Sequence, residues 1–116
     1  MKKIYIAGKV TGLDPEATAA KFAAAEEEVK AAGFEPINPL KVVGTWEISW
    51  ADAMRKCIAA LTTADAVYLL PCHFLSDGAT KEKQIASWLN ISFSIDLQDH
   101  VNVPQVWNRF FTELKH

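Results

Sequence analysis

Residues 66–70 read AVYLL, an unbroken apolar run closed by Pro71. A strand with one face in water alternates apolar and polar positions. A strand covered on both faces does not, and such continuous runs mark the centre of a parallel sheet. Ile4-Tyr5-Ile6-Ala7, halted at Gly8, has the same character: β-branched and aromatic residues without a polar break. What lies between two such strands is then expected to be helical crossover. Pro15 suits the first turn of a helix running to about Ala32, with Phe22, Ala25, Val29 and Ala32 as its inward stripe and Gly33 as its terminator. Residues 34–38 make a second strand, closed by Pro39. Residues 40–48 form a loop that carries Trp46. Ser49 caps a second helix, with Trp50, Met54, Cys57 and Leu61 as its stripe.

Beyond Pro71 a third helix begins at Ser76 or Asp77 and runs to about Asn90, followed by a strand over 91–95. Strand and helix alternate throughout. That order predicts an α/β fold: a three-layer sandwich around a parallel sheet of four or five strands in the order 2-1-3-4, flavodoxin- or Rossmann-like. The tail, 96–116, adds a C-terminal helix from Pro104 with an aromatic face that includes Trp107, Phe110 and Phe111. The chain reads as a single domain, 1–116. In such sheets ligands bind beyond the carboxyl ends of the strands, where the direction of winding reverses. That point falls between strands one and three, beneath the loops 8–14 and 72–78.

The bulk numbers exclude several function classes. A formal charge of −2 and a pI near 5.9 give no footprint for a nucleic acid polymer or an anionic membrane surface. Cys57 and Cys72 have no metal-ligand spacing and read as reduced thiols of a cytoplasmic protein. No segment approaches transmembrane length. The acidic run Glu26-Glu27-Glu28 reads as a solvated helix face.

Glu82 is the residue out of place. On a helix it shares a stripe with Ile85, Ala86 and Leu89, at spacings of three, four and seven, while Lys81, Lys83, Gln84 and Ser87 fall elsewhere. A capping-box glutamate would need its cap at Ala79, a poor capping residue. A glutamate at the stripe's edge, paired with a lysine, is another bland explanation. The functional alternative is a carboxylate aimed into the ligand crevice, kept ionised by the helix amino end. Gly8-x-x-x-Gly12, with Thr11, lets backbone amides approach a sugar or phosphate, although a plain turn explains it equally well. Asp65 stands at a turn before the third strand. Cys72-His73 beside the crevice carry no dyad, because adjacent side chains seldom face each other. Trp46 and Trp50 either pack in the core, the commoner fate of tryptophan, or stack on a base over the crevice.

Four ordered stretches, IYIAGKVTGL (4–13), FEPINP (34–39), SWADAMRKCIAALTTADAVYLLP (49–71) and S-D-G-A-x-x-E (76–82), resemble the nucleoside 2-deoxyribosyltransferase-like superfamily, in its small bacterial and phage branch. The resemblance runs from residue 1 to about 93. It implies a nucleoside or nucleoside 5′-monophosphate as substrate and Glu82 as a nucleophile that takes the sugar and releases the base. Water or a second base then accepts the sugar, with no metal and no organic cofactor. It implies that Gly8, Lys9, Thr11, Gly12, Ser76 and Gly78 hold the sugar and phosphate. Asp65 is a supporting residue. A homodimer or larger homo-oligomer is expected, since related enzymes complete their sites across subunits. Ser76 matches the serine of members that hydrolyse 5′-monophosphates. The chain departs from the family in three places: Lys9-Val10 replace Pro-Met in the first loop, Cys57 replaces an aspartate, and Cys72-His73 replace Gly-Trp. These departures define the alternative, a non-catalytic module that binds or sequesters a nucleotide-derived small molecule.

Overall fold

Four strands, β1 (Lys3–Ala7), β2 (Glu35–Ile37), β3 (Ala66–Leu69) and β4 (Ser92–Ser94), pair in parallel in the order β2-β1-β3-β4. This is the topology expected from the sequence. The computed structural model describes residues 1–71 and 77–97. The expected C-terminal helix, together with Cys72, His73 and Ser76, lies outside the described residues. Register sets Tyr5 opposite Val67 on one side and Ile37 on the other, and Val67 opposite Phe93.

The period of two along each strand sorts the core into two layers. Ile4 and Ile6 of β1, with Ala66 and Tyr68 of β3, face one side and pack on Phe22, Ala25 and Val29 of α1 (Pro15–Ala31). Tyr5 and Ala7, with Val67 and Leu69, face the other side. They pack on Cys57 and Leu61 of α3 (Trp50–Leu61) and on Ala79 and Ala86 of α4 (Asp77–Trp88). The three-layer arrangement therefore follows from strands that are apolar on both faces. Among the described residues no helix is long and apolar enough to cross a membrane.

The caps are those the sequence implies. The Asp14 carboxylate accepts from Ala17 N at 2.9 Å at the start of α1, and Ser49 Oγ accepts from Asp52 N at 3.1 Å at the start of α3. At the end of α1, Phe34 N donates to Val29 O and Gly33 N to Lys30 O, the paired bonds that close a helix.

Two expectations need correction. The segment read as a loop after Pro39 begins with a short helix, α2 (Pro39–Val43), because Asn38 accepts from Leu40 N at 2.9 Å and Pro39 occupies the first helical position. The acidic run is not uniformly solvated. Glu26 is buried, taking hydrogen bonds from Asn38 Nδ2 (2.6 Å) and Lys41 Nζ (2.9 Å), so it fastens α1 to α2. Glu28 accepts from the Tyr68 hydroxyl at 2.8 Å, and Glu27 is exposed.

Candidate functional site

A cavity of ≈ 650 Å³ opens beside the carboxyl end of β1. That volume falls within the roughly 300–1,000 Å³ typical of small-molecule sites. The loop from β1 to α1 contributes Gly8, Val10, Thr11 and Gly12 to its wall. The connector between α2 and α3 contributes Thr45, Trp46 and Ile48, and α3 adds Trp50, Met54 and Cys57. The first turns of α4 bring Gly78, Ala79 and Glu82, and β1 itself brings Tyr5.

Glu82 reaches this wall because of its place on α4. It shares the buried face of the helix with Ala79 and Ala86 and is only 5 % exposed. The capping-box explanation is gone, since Ala79 lies inside the helix rather than ahead of it. Its partner is not a lysine but the Tyr5 hydroxyl, which donates to Glu82 Oε2 from the middle of β1. Tyr5 points to this face because of the strand's alternation.

Burial pushes the Glu82 carboxyl up to about 7, against the opposing pull of the Tyr5 hydrogen bond. The helix amino end does not hold it at the ordinary carboxylate value. Glu82 sits in the second turn, and the dipole's influence fades within the first. The neighbours respond in kind. Tyr5 is raised well above the usual phenol range, by burial first and then by the Glu82 charge. Cys57 is raised by burial and by Glu82, partly offset by Tyr5. Of the three groups Glu82 is therefore the first to ionise as the pH rises. A desolvated carboxylate that exchanges its proton near neutral pH is a stronger nucleophile and base than one in water.

The structure brings Gly8, Thr11, Gly12, Gly78 and Glu82 together on one cavity. A side chain at Gly8 would meet Leu70, with a Cβ only 2.9 Å from Leu70 Cδ1, so glycine lets the loop leave β1 close to the end of the neighbouring strand. Lys9 is not among the lining residues, and its carbonyl accepts from Lys21 Nζ at 2.8 Å, which ties the loop to α1. Asp65 is at the wrong end of the sheet for a substrate contact. Its carboxylate accepts from Lys3 N and its own amide donates to Lys3 O, both at 2.8 Å, so it joins the amino ends of β1 and β3. Ser76 lies outside the described residues.

One feature has no signal in the sequence, and another takes the less common of the two fates the sequence leaves open. Tyr5 looks like any core strand residue, and nothing local marks a partner 77 positions away. Trp46 and Trp50, for which core packing is the ordinary fate, are 53 % and 48 % exposed and stand at the cavity wall instead. Among the described residues there is no group of three or more His, Cys, Asp or Glu side chains that could hold a metal ion. A search of curated proteins finds no match to the chain. Residues 2–94, covering all four strands and the whole of the described cavity wall, match the model of a domain of unknown function, DUF4406, and the chain belongs to that family.

Proposed function

We propose that this protein binds a nucleoside or nucleoside 5′-monophosphate in the β1 cavity and cleaves or transfers its N-glycosidic bond. The observation that carries the reading is Glu82: a nearly buried carboxyl on a cavity wall, titrating near neutrality and held, among the described residues, by one neutral donor. The family resemblance of the motifs around Gly8, Gly78 and Glu82 supports the same chemistry.

With Oε2 held by Tyr5, Glu82 Oε1 attacks the anomeric carbon of the sugar. The bond from that carbon to the base nitrogen breaks, its electron pair leaves with the base, and the base takes up a proton from solvent. The product is a glutamyl–sugar ester. Water or a second base then attacks the same carbon and gives up a proton to solvent, and the ester bond returns its electrons to the Glu82 carboxylate. Ionised Glu82 is needed for the first step. The backbone of Gly8 and Gly12, with Thr11 between them, borders the sugar. We place the activity in the cytoplasm, a compartment in which Cys57 stays a free thiol.

The test is release of free base from a panel of 2′-deoxynucleosides and their 5′-monophosphates, followed by chromatography, with Glu82→Gln alongside. Base release that depends on Glu82 supports the reading. No release, or equal release by Glu82→Gln, sinks it. One observation favours a second reading. Cys57, raised above the usual thiol range and therefore neutral, occupies the cavity wall where the related enzymes carry an aspartate. A module that binds the same ligand without turnover would show saturable binding in calorimetry and no release of base.

A further inference from the structure

We infer that the connector joining α2 to α3 is the base-recognising side of the cavity, with Trp46 as a preformed stacking platform and Trp50 flanking it. The inference rests on the nucleoside reading above and assigns the aromatic part of that ligand to residues the sugar chemistry does not use.

Exposed large apolar side chains are ordinary, and Trp88, Leu89 and Ile95 are exposed too; what sets Trp46 and Trp50 apart is that they line a cavity. Trp46 and Trp50 are left half open, and both line the cavity that Tyr5 and Glu82 also line. Two indoles on one cavity wall offer flat, polarisable faces to a planar ring. Val43, Ile48 and Met54 extend the same wall with apolar atoms.

The connector is also pinned. At its start Gly44 adopts φ +78°, a left-handed conformation that side chains disfavour, and its amide donates to Leu40 O at 2.9 Å to close α2. Next, Thr45 Oγ1 accepts from Glu47 N at 3.0 Å, fixing the turn that carries Trp46. At its end Ser49 caps α3 and sets the position of Trp50. A tryptophan on a connector so fixed loses little further main-chain freedom when a ligand stacks on it.

This wall lies against the reactive end. Lys81, adjacent to Glu82 in sequence, reaches the Trp50 ring, with its ammonium 5.8 Å from the ring centre. The Trp50 ring is thus alongside the turn of α4 that carries Glu82. Lys81 occupies one face of the Trp50 ring and Trp46 is the more exposed of the two indoles, so the stacking surface is assigned to Trp46.

The experiment uses the full chain with Glu82→Gln as background, so that no ligand is consumed. Binding of the four common 2′-deoxynucleosides and their 5′-monophosphates is compared by calorimetry with that of 2-deoxyribose and 2-deoxyribose 5-phosphate, which lack the base. Trp46→Ala should weaken the base-bearing ligands by roughly 5- to 100-fold, the range for loss of one base–aromatic stack. It should leave the base-free sugars within twofold, and Trp46→Phe should recover most of the loss. Equal weakening of both ligand classes, no weakening of either, or parent affinity that does not distinguish base-bearing from base-free ligands overturns the inference. Unfolding curves of both variants identify a loss caused by misfolding, which would also weaken the base-free sugars. Release of base is a separate readout: if Glu82 proves inert while Trp46 still selects for the base, the glycosidic reading falls and the stacking platform stands.

Discussion

Among the described residues two glutamates are buried to nearly the same extent, Glu26 at 6 % and Glu82 at 5 % exposure, in opposite electrostatic surroundings. Glu26 accepts from a side-chain amide and an ammonium. Burial alone would push its carboxyl up, but the hydrogen bonds from Asn38 and Lys41, with the charges of Lys41 and Lys30, outweigh that and hold it below the ordinary value. Glu82 accepts from one neutral phenol and burial wins, so its carboxyl rises to about 7. Low exposure alone therefore does not separate a structural acid from a reactive one. Glu26 lies just beneath the surface against the exposed Lys41 ammonium, whereas Glu82 is deeply enclosed; depth, the charge of the partners and what lies on the open side separate them together. Glu26 faces α2 and locks two helices. Glu82 faces a cavity with its proton loosely held, and such under-compensated groups in clefts are where chemistry is found.

The largest expected effect is on turnover. Glu82→Gln keeps the shape of the side chain and removes the nucleophile, so base release should fall by about 10³-fold or more. Glu26→Gln should keep it within a few-fold. Comparable losses in both variants would mean that the two sites are not different in kind. The same Glu82→Gln substitution should carry an opposite signature in stability. Glu82 has its folded value raised from 4.5 to about 7, so between those values the folded state holds a proton that the unfolded chain has lost. Stability from this group is thus full below about 4.5 and declines as the pH rises through 7. Glutamine does not titrate. At pH 8 Glu82→Gln should exceed the parent by an amount on the order of 3 kcal/mol at most, from the size of the shift. The gain should disappear near pH 4. Thermal unfolding across that range checks it, and a pH-independent difference would contradict the assignment.

Tyr5→Phe should have the next largest effect. The Tyr5 hydroxyl is what draws the Glu82 carboxyl downward against burial. A hydrogen bond to a charged group contributes about 1.5–3 kcal/mol, so its loss should move Glu82 up by about one to two pH units. At pH 7 base release should fall about tenfold and recover at higher pH, because the deficit is one of ionisation. A pH–rate profile whose acid limb stays in place would show that Tyr5 is only packing.

The sequence shows the scaffold plainly and the site by halves. The buried runs at 4–7 and 66–70 carry the sheet, since continuous apolar strands leave few alternatives to a parallel centre. Helix α2 is hidden because five residues hold too little periodicity, although Asn38-Pro39 carries the cap and first-turn proline of a helix start. Glu82 is visible as a carboxylate on an apolar stripe. Glu26 carries the same signal, four after Phe22 and three before Val29, yet inside an acidic run it reads as surface. What no local pattern distinguishes is their partners. Those of Glu26 lie 12 and 15 residues away and that of Glu82 lies 77 away. Stripe position reveals burial, while pairing depends on tertiary contacts. Nor does any local pattern choose between the two fates of Trp46, core packing or stacking over the crevice: exposure belongs to the cavity, not to the residue.

The smallest expected effect tests whether one buried acid can be made to resemble the other. Lys41→Met removes the ammonium that donates to Glu26 at 2.9 Å and keeps most of the aliphatic stem. Glu26 would then hold a single neutral donor, Asn38, as Glu82 holds Tyr5, and its carboxyl should rise. The loss of stability should nonetheless stay near 1 kcal/mol or below, because the Lys41 side chain is 73 % exposed and its charge is well solvated without a partner. The sign of the pH dependence is the reverse of that for Glu82. A carboxyl held below its ordinary 4.5 in the folded state stabilises above that value, and the contribution is lost as the pH falls through the folded value. Parent and Lys41→Met should therefore differ at pH 7 and converge in acid, as measured by urea unfolding at both. A deficit of several kcal/mol, or one that persists unchanged at low pH, would mean that Lys41 contributes packing rather than charge. Glu26 would then owe its ionised state to Asn38, and the contrast with Glu82 would rest on the geometry of one amide.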